Sequence, residues 1–278
     1  LVDAINAVDP AITIATLPQH AEVDRGQMVA TVKIIPFAVP SATLARVEAL
    51  AGAKEVFAVH PYTPRRVALL QTVLPGLKES VLAKTARITA DRLARSGSRV
   101  AGERRMPHEA GAVAAELKAS LGEADMALVF GASAMCDFDD VIPAAIRAAG
   151  GTVLRAGMPV DPGNLLVLGE VDGKTVIGAP GCARSPKENG FDWVLARVIA
   201  GIGVSDRDIA RMGVGGLLME IPTRPQPREV TPAPQRLDVH AVVLAAGRSS
   251  RMGGPNKLLA LFGGEPLVVQ VGSTRFAL

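Results

Sequence analysis

Aromatic residues are scarce: one Trp, one Tyr and seven Phe, 3% of 278 residues. The core must therefore be aliphatic, and a ligand that binds by stacking finds few partners. Cysteine is rarer still. Cys136 and Cys182 cannot build a disulfide framework, and neither stands at a metal-ligand spacing. The four histidines are scattered, with no His-Glu-x-x-His pattern. Neither a leader pattern nor an apolar run of bilayer length occurs, which predicts a cytoplasmic protein without a membrane partner. The chain opens on Leu1, already inside a pattern, as an excerpt of a longer polypeptide would.

Charge is modest, +3 overall with a pI near 9.1. A nucleic-acid binder concentrates its basic excess on one element beside stacking rings. Here the densest basic stretch, residues 84–105, reads as a solvated face. Nucleic acid is not an expected partner, whereas phosphorylated small molecules suit a mildly basic chain. A homo-oligomer is compatible with this composition.

Residues 1–63 read as β-rich with one helix. The β-branched runs 12–17 and 28–37 flank Asp24-Arg25-Gly26, and residues 41–51 carry Leu44, Val47 and Leu50 at helical spacing. From Arg65 the pattern alternates. Strands are predicted at 67–73, 99–106, 127–130 and 152–156, with helices at 80–95, 108–121 and 141–149 between them. Such alternation implies an α/β domain over residues 64–220, a mostly parallel sheet flanked by helices. Asp172-Gly173 between two apolar runs signals a hairpin. Ser185, Pro186 and Glu188 read as the capped start of a further helix carrying Phe191, Val194, Leu195 and Val198. Five prolines between 222 and 234 mark a linker over 221–237, and a strand at 239–244 opens the last segment, 238–278.

The most specific motif is residues 242–259. A buried strand delivers Leu244, Ala245, Ala246 and Gly247, whose small side chains let backbone N–H groups approach phosphate oxygens. Arg251 and Lys257 are cations placed to neutralise a triphosphate and a leaving pyrophosphate, and Ser249 and Ser250 add hydroxyl donors. This ordered run resembles the start of a molybdopterin nucleotidyltransferase. Ala-Ala-Gly and Asn256-Lys257-Leu258-Leu259 are similar to the cytidylyltransferase branch rather than the guanylyl branch. The resemblance implies that Arg251 and Lys257 hold nucleotide phosphates, with Lys257 catalytic and Mg²⁺ as partner. It covers about forty residues, the opening of a Rossmann-like domain, so this segment alone is not expected to transfer a nucleotide. Isoprenoid-pathway cytidylyltransferases share a related loop, usually with Pro-Lys-Gln in place of Asn-Lys-Leu.

In the central domain, small residues at 131–136 follow an apolar strand and precede Asp137, Asp139 and Asp140. An open α/β sheet binds ligands at such a loop. The acids could hold a metal ion, although Asp140, next to the predicted helix, reads as its cap. A second loop, 178–185, brings Arg184 and Ser185 to the predicted helix start as an anion site. In this order the signals resemble the molybdopterin-binding domain of molybdenum cofactor biosynthesis proteins, over about residues 65–228. The resemblance implies pterin binding by Gly131, Ala132, Ser133, Asp137, Gly163, Asn164, Gly181, Cys182, Arg184 and Ser185, with Asp139 as the catalytic or metal-binding acid.

Departures from that family accompany the likeness. Ala132, Ala134 and Cys136 replace Gly, Ser and Gly of the first loop; Asp161 and Asn164 replace two lysines, and Cys182 an Asn. Fewer cations weaken molybdate insertion more than pterin binding. Cys136 and Cys182 fall in loops expected to face each other, either as small buried residues or as thiols near a sulfur-containing pterin. The implied activity is molybdenum cofactor biosynthesis: pterin binding here and, in a longer parent, transfer of CMP rather than GMP from CTP or GTP. A pterin carrier without chemistry is the alternative, and an isoprenoid-type cytidylyltransferase a third.

Overall fold

The computed structural model describes residues 1–219, 259 and 261–266. The chain divides into two compact units, Leu1–Ile221 and Pro222–Leu278. No helix among the described residues is long and apolar enough to cross a membrane.

The first unit begins with α1 (Val2–Asn6), β1 (Ile12–Thr16), β2 (Ala30–Ile34) and α2 (Ser41–Ala53). β1 and β2 pair antiparallel, with Ile12 opposite Ile34. The side-chain amide of Asn6 closes the other edge of β1. It donates to the Ile14 carbonyl and accepts from the Ile14 N–H, both at 2.8 Å, as a neighbouring strand would. α1 was not expected, because five residues carry too little periodicity to register.

A six-stranded sheet follows. Its elements are β3 (Arg66–Val73), α3 (Glu79–Ala94), β4 (Arg99–Pro107), α4 (Ala110–Leu121), β5 (Met126–Phe130), α5 (Val141–Ala148), β6 (Thr152–Ala156), β7 (Val167–Val171), β8 (Lys174–Ala179), α6 (Gly190–Ile199) and α7 (Asp206–Ala210). The order is β4-β3-β5-β8-β7-β6. β4, β3, β5 and β8 are mutually parallel, while β7 runs antiparallel to β8 and β6. This is the expected mostly parallel α/β sheet, with an antiparallel end supplied by the hairpin. Asp172 and Gly173 turn that hairpin with φ of 50° and 72°, the paired positive angles of a tight two-residue turn.

Connection handedness fixes the layers. The chain steps from β3 to β4 in one direction and from β4 to β5 in the other, so right-handed crossovers put α3 and α4 on opposite faces. The core agrees. Val67 and Leu69 of β3 pack with Leu93 of α3 and with Phe191 and Val194 of α6. Ala68 and Leu70 pack with Val113 and Leu117 of α4 and Ile142 and Ile146 of α5. Alternate residues of one strand thus feed two cores, which is why β3 opens on the apolar run Val67–Leu70 before Gln71 and Thr72.

The start of α6 corrects an expectation. The helix begins at Gly190, with Asn189 as its cap, and not at Ser185. Asn189 accepts from the Phe191 N–H at 3.0 Å, and Asp192 accepts from the Asn189 N–H at 2.9 Å. Two capping boxes compete in the sequence, and tertiary contact selects the second. The Gly190 N–H donates to the Pro162 carbonyl at 2.9 Å, with Gly163 pressed against it. A Cβ on Gly163 would lie 2.6 Å from the Gly190 nitrogen, and one on Gly190 would lie 2.7 Å from the Met158 sulfur. Ser185 instead follows the 3₁₀ turn Gly181–Arg184.

In the second unit, β9 (Leu261–Phe262) and β10 (Glu265–Pro266) pair antiparallel across Gly263 and Gly264, whose φ values are 63° and 92°. The predicted linker, the strand at 239–244 and the phosphate loop lie outside the described residues, apart from Leu259.

Candidate functional site

The sheet topology gathers the marked loops. β5 and β8 are parallel, so the 131–140 loop and the Gly181–Arg184 turn leave the same edge. The loop between β6 and β7, which contains Gly163 and Asn164, reaches that edge as well, because β7 is antiparallel to β8. β4 lies on one side of β3 and β5 on the other, so β3 and β5 flank a topological switch point. Crevices at such points are where open α/β sheets bind ligands.

Two polar residues at the end of β3 organise the crevice. Thr72 is fully buried, and its Oγ1 accepts from the Ala132 N–H at 2.8 Å. The same oxygen lies 2.8 Å from Nδ1 of His108. The Thr72 hydroxyl thus joins the first peptide N–H of the loop to the His108 ring. The loop must start with glycine. A Cβ on Gly131 would meet the Ser133 carbonyl at 2.9 Å and Ile142 at 3.2 Å, with His108 at 3.7 Å.

Gln71, equally buried, begins a second network. Its Nε2 donates to the Leu82 carbonyl and to Glu103, each at 3.0 Å. Arg184 donates to Gln71 Oε1 at 3.3 Å, to Thr85 Oγ1 at 2.6 Å and to the Gly131 carbonyl at 3.1 Å. Its guanidinium lies 5.1 Å from the centre of the Phe130 ring. Burial holds the Arg184 guanidinium below its ordinary pKa, and it stays a cation. Arg184 therefore ties β3, α3 and the start of the 131–140 loop together. With α6 starting later and Arg184 turned inward, the expected anion site of Arg184 and Ser185 on a helix N-terminus does not form.

The far end of the 131–140 loop is held by Asp140. This buried carboxylate accepts from the Cys136 and Asp137 N–H groups at 2.6 and 3.0 Å, and it precedes α5 without capping it through its side chain. Asp139 behaves differently. Its side chain is 90% exposed and pairs with Arg147 at 2.8 Å. No group of three His, Cys, Asp or Glu side chains able to hold a metal ion occurs among the described residues. One carboxylate suits only a Mg²⁺ ion whose other ligands are water and substrate phosphates.

The remaining predicted residues spread along the edge. Ala132 and Ser133 are half-buried beside Thr72 and His108, Asp137 and Cys136 are exposed, Gly163 is buried against α6, and Asn164 and Gly181 face solvent. Cys182 is half-buried, and burial, followed by the charge of Asp161, pushes its thiol above the ordinary value. Gln71, Thr72, Thr85, Glu103 and His108 were not anticipated. Two of them carried a signal: Gln and Thr are out of place in a strand buried on both faces.

Comparison with known proteins adds one sequence match. Residues 241–274 match the MobA-like NTP transferase domain. No curated protein matches the chain. Among solved structures, a molybdopterin biosynthesis MoeA protein from Pyrococcus horikosii is similar over 57% of this chain and 41% of its own, at 22% identity and a TM-score of 0.34. A second such protein, from Pyrococcus horikoshii OT3, is similar over 67% and 50%, at 12% identity and a TM-score of 0.30. The chain thus spans half or less of either solved structure.

Proposed function

We propose that this chain works in molybdenum cofactor biosynthesis. In this reading the strand-end crevice binds molybdopterin or a derivative, and residues 244–257 belong to a transferase that joins a nucleotide to it. The observation that carries the reading is the presence, in one chain, of a MobA-like NTP transferase segment and a sheet whose small-residue loops share one edge. Each unit would supply one substrate of a single reaction, and a covalent link raises their effective concentration.

The pterin's phosphate and ring would meet backbone amides and side chains of Gly131, Ala132, Ser133, Asp137, Gly163, Asn164, Gly181 and Cys182, with Ser185 at the rim. Thr72, Asp140 and Arg184 act by positioning the loops. On the nucleotide side, Leu244, Ala245, Ala246 and Gly247 would cradle phosphates while Arg251 and Lys257 neutralise the leaving pyrophosphate. Ala245-Ala246-Gly247 and Asn256-Lys257 favour CTP over GTP. Asp139 would hold Mg²⁺ only together with phosphate oxygens.

A second reading, a pterin carrier without chemistry, draws support from the exposure of Asp139 and its pairing with Arg147. Supplying the full-length protein with molybdopterin, Mg²⁺ and either CTP or GTP separates the two. Pterin-dependent pyrophosphate release, faster with CTP, supports the transferase. Tight pterin binding without release supports the carrier, and absence of both sinks the two together. Release with methylerythritol phosphate in place of the pterin would point to isoprenoid chemistry instead.

A further inference from the structure

A recess of about 930 Å³ lies among residues 18–22, α3, α6 and the segment 208–215. Small-molecule sites span roughly 300–1,000 Å³, so this space fits a whole metabolite. Ile88, Arg92 and Arg95 line it at helical spacing from α3, and Trp193 and Arg197 from α6.

Its charges are unequally used. Glu22 pairs with Arg95 at 2.8 Å, and Asp192 accepts from Arg92 at 2.7 Å. Glu188 accepts from the Trp193 indole at 2.8 Å, and Asp208 from the Ser205 hydroxyl at 2.5 Å. Asp91 is the one lining acid with no hydrogen bond or ion pair among the described residues. Three more lining groups have none among the described residues: Arg197, Arg211 and His20, whose imidazole is held below its ordinary pKa by burial and then by the charge of Arg197. Asp208 acts on all three only through space. Arg197 is half-buried, and desolvation holds its guanidinium below the ordinary value. A guanidinium offers five donors in a rigid fork that matches phosphate, and leaving it half-desolvated and unpaired is costly. His20 sits at φ 62° in the turn that the Ala21 N–H closes by donating to the Pro18 carbonyl at 3.2 Å.

We infer that this recess binds a phosphorylated small molecule with a planar ring, the phosphate taken by Arg197 with His20 and Arg211, and the ring laid on Trp193. The site is separate from the strand-end crevice and does not depend on the pterin reading. Arg92 links the two, since its guanidinium also donates to the Ala183 and Ser185 carbonyls at 2.6 and 2.5 Å.

Trp193 is the sole Trp in the chain, so its indole N–H resonance reports on this recess alone. Titrating the full chain with AMP should shift that resonance saturably. Adenosine and inorganic phosphate, each carrying half of the ligand's chemistry, should bind at least tenfold more weakly. Arg197→Met should weaken AMP at least tenfold and Arg211→Ala several-fold, with the circular dichroism spectrum unchanged. The doubly substituted Arg251→Ala, Lys257→Ala chain should titrate like the wild type, which separates this site from the phosphate loop. An unresponsive indole with AMP, CMP and GMP alike would overturn the inference. So would adenosine binding as tightly as AMP, or Arg197→Met and Arg211→Ala both titrating as wild type.

Discussion

At the carboxyl edge of the sheet the long polar side chains are engaged with protein. Gln71, Thr85, Glu103 and Arg184 bond one another, and Thr72 joins Ala132 to His108. On the outer face of α3 and α6 every lining acid but Asp91 is engaged in the same way, yet Arg197, Arg211 and His20 are left over. The two recesses use polar groups for different ends. Satisfied networks position backbone, and a ligand there meets a loop already set in shape. Arg197 and Arg211, cations without a hydrogen-bonded protein partner, hold little in place, and their natural complement is an anion from outside.

The sharpest way to break this contrast is to remove one arginine from each place. Arg184→Met strips donors from Gln71, Thr85 and the Gly131 carbonyl, and should cost about 3 kcal/mol in urea denaturation. Arg197→Met, which removes a half-desolvated guanidinium without a hydrogen-bonded protein partner, should leave stability no lower than wild type. Equal losses would erase the distinction. Next in size, Thr72→Val keeps the side-chain shape but orphans the Ala132 N–H, at about 2 kcal/mol, and should weaken pterin binding.

A smaller effect tests how firmly Glu22 is engaged. The pKa of Tyr62 is pushed up to about 12 by burial, then by the charge and hydrogen bond of Glu22. Because the folded state favours the protonated phenol, this contribution is complete below the unfolded value near 10 and is lost as pH rises towards about 12. Tyr62 is the only Tyr, so its ultraviolet titration is unambiguous, and Glu22→Gln should move the midpoint down. Smallest of all, Asp139→Asn on the exposed loop should change stability by less than about 0.5 kcal/mol. Its effect on pyrophosphate release decides whether that acid takes part in chemistry.

The strands were legible because burial on both faces leaves uninterrupted apolar runs, as in β3 and β5, and Asp172-Gly173 announced the hairpin. The start of α6 was not. Ser185-x-x-Glu188 and Asn189-x-x-Asp192 are both plausible caps, and the choice rests on Gly190 reaching Pro162, far away in sequence. The crevice was half legible. Its small-residue loops could be found by composition, but Thr72 and His108 meet across 36 positions, and no local pattern records that. Arg184 was marked as a ligand-facing cation, yet its partners lie on β3, on α3 and after β5, so its inward turn is a property of the assembled sheet.

The contact between Gly163 and Gly190 constrains which sequences the fold can reach by single exchanges. Around Gly190 the obstacles are the end of the Met158 side chain and the Cβ of Val160, 2.7 to 2.9 Å from where a Cβ would stand, so trimming Met158 alone leaves the second in place. Around Gly163 the nearest obstacle is the backbone of residue 190 itself, which no substitution elsewhere can shorten. Gly190 can therefore change only after positions 158 and 160 have both given way, while Gly163 is a fixed point through which every descendant of this sequence must pass.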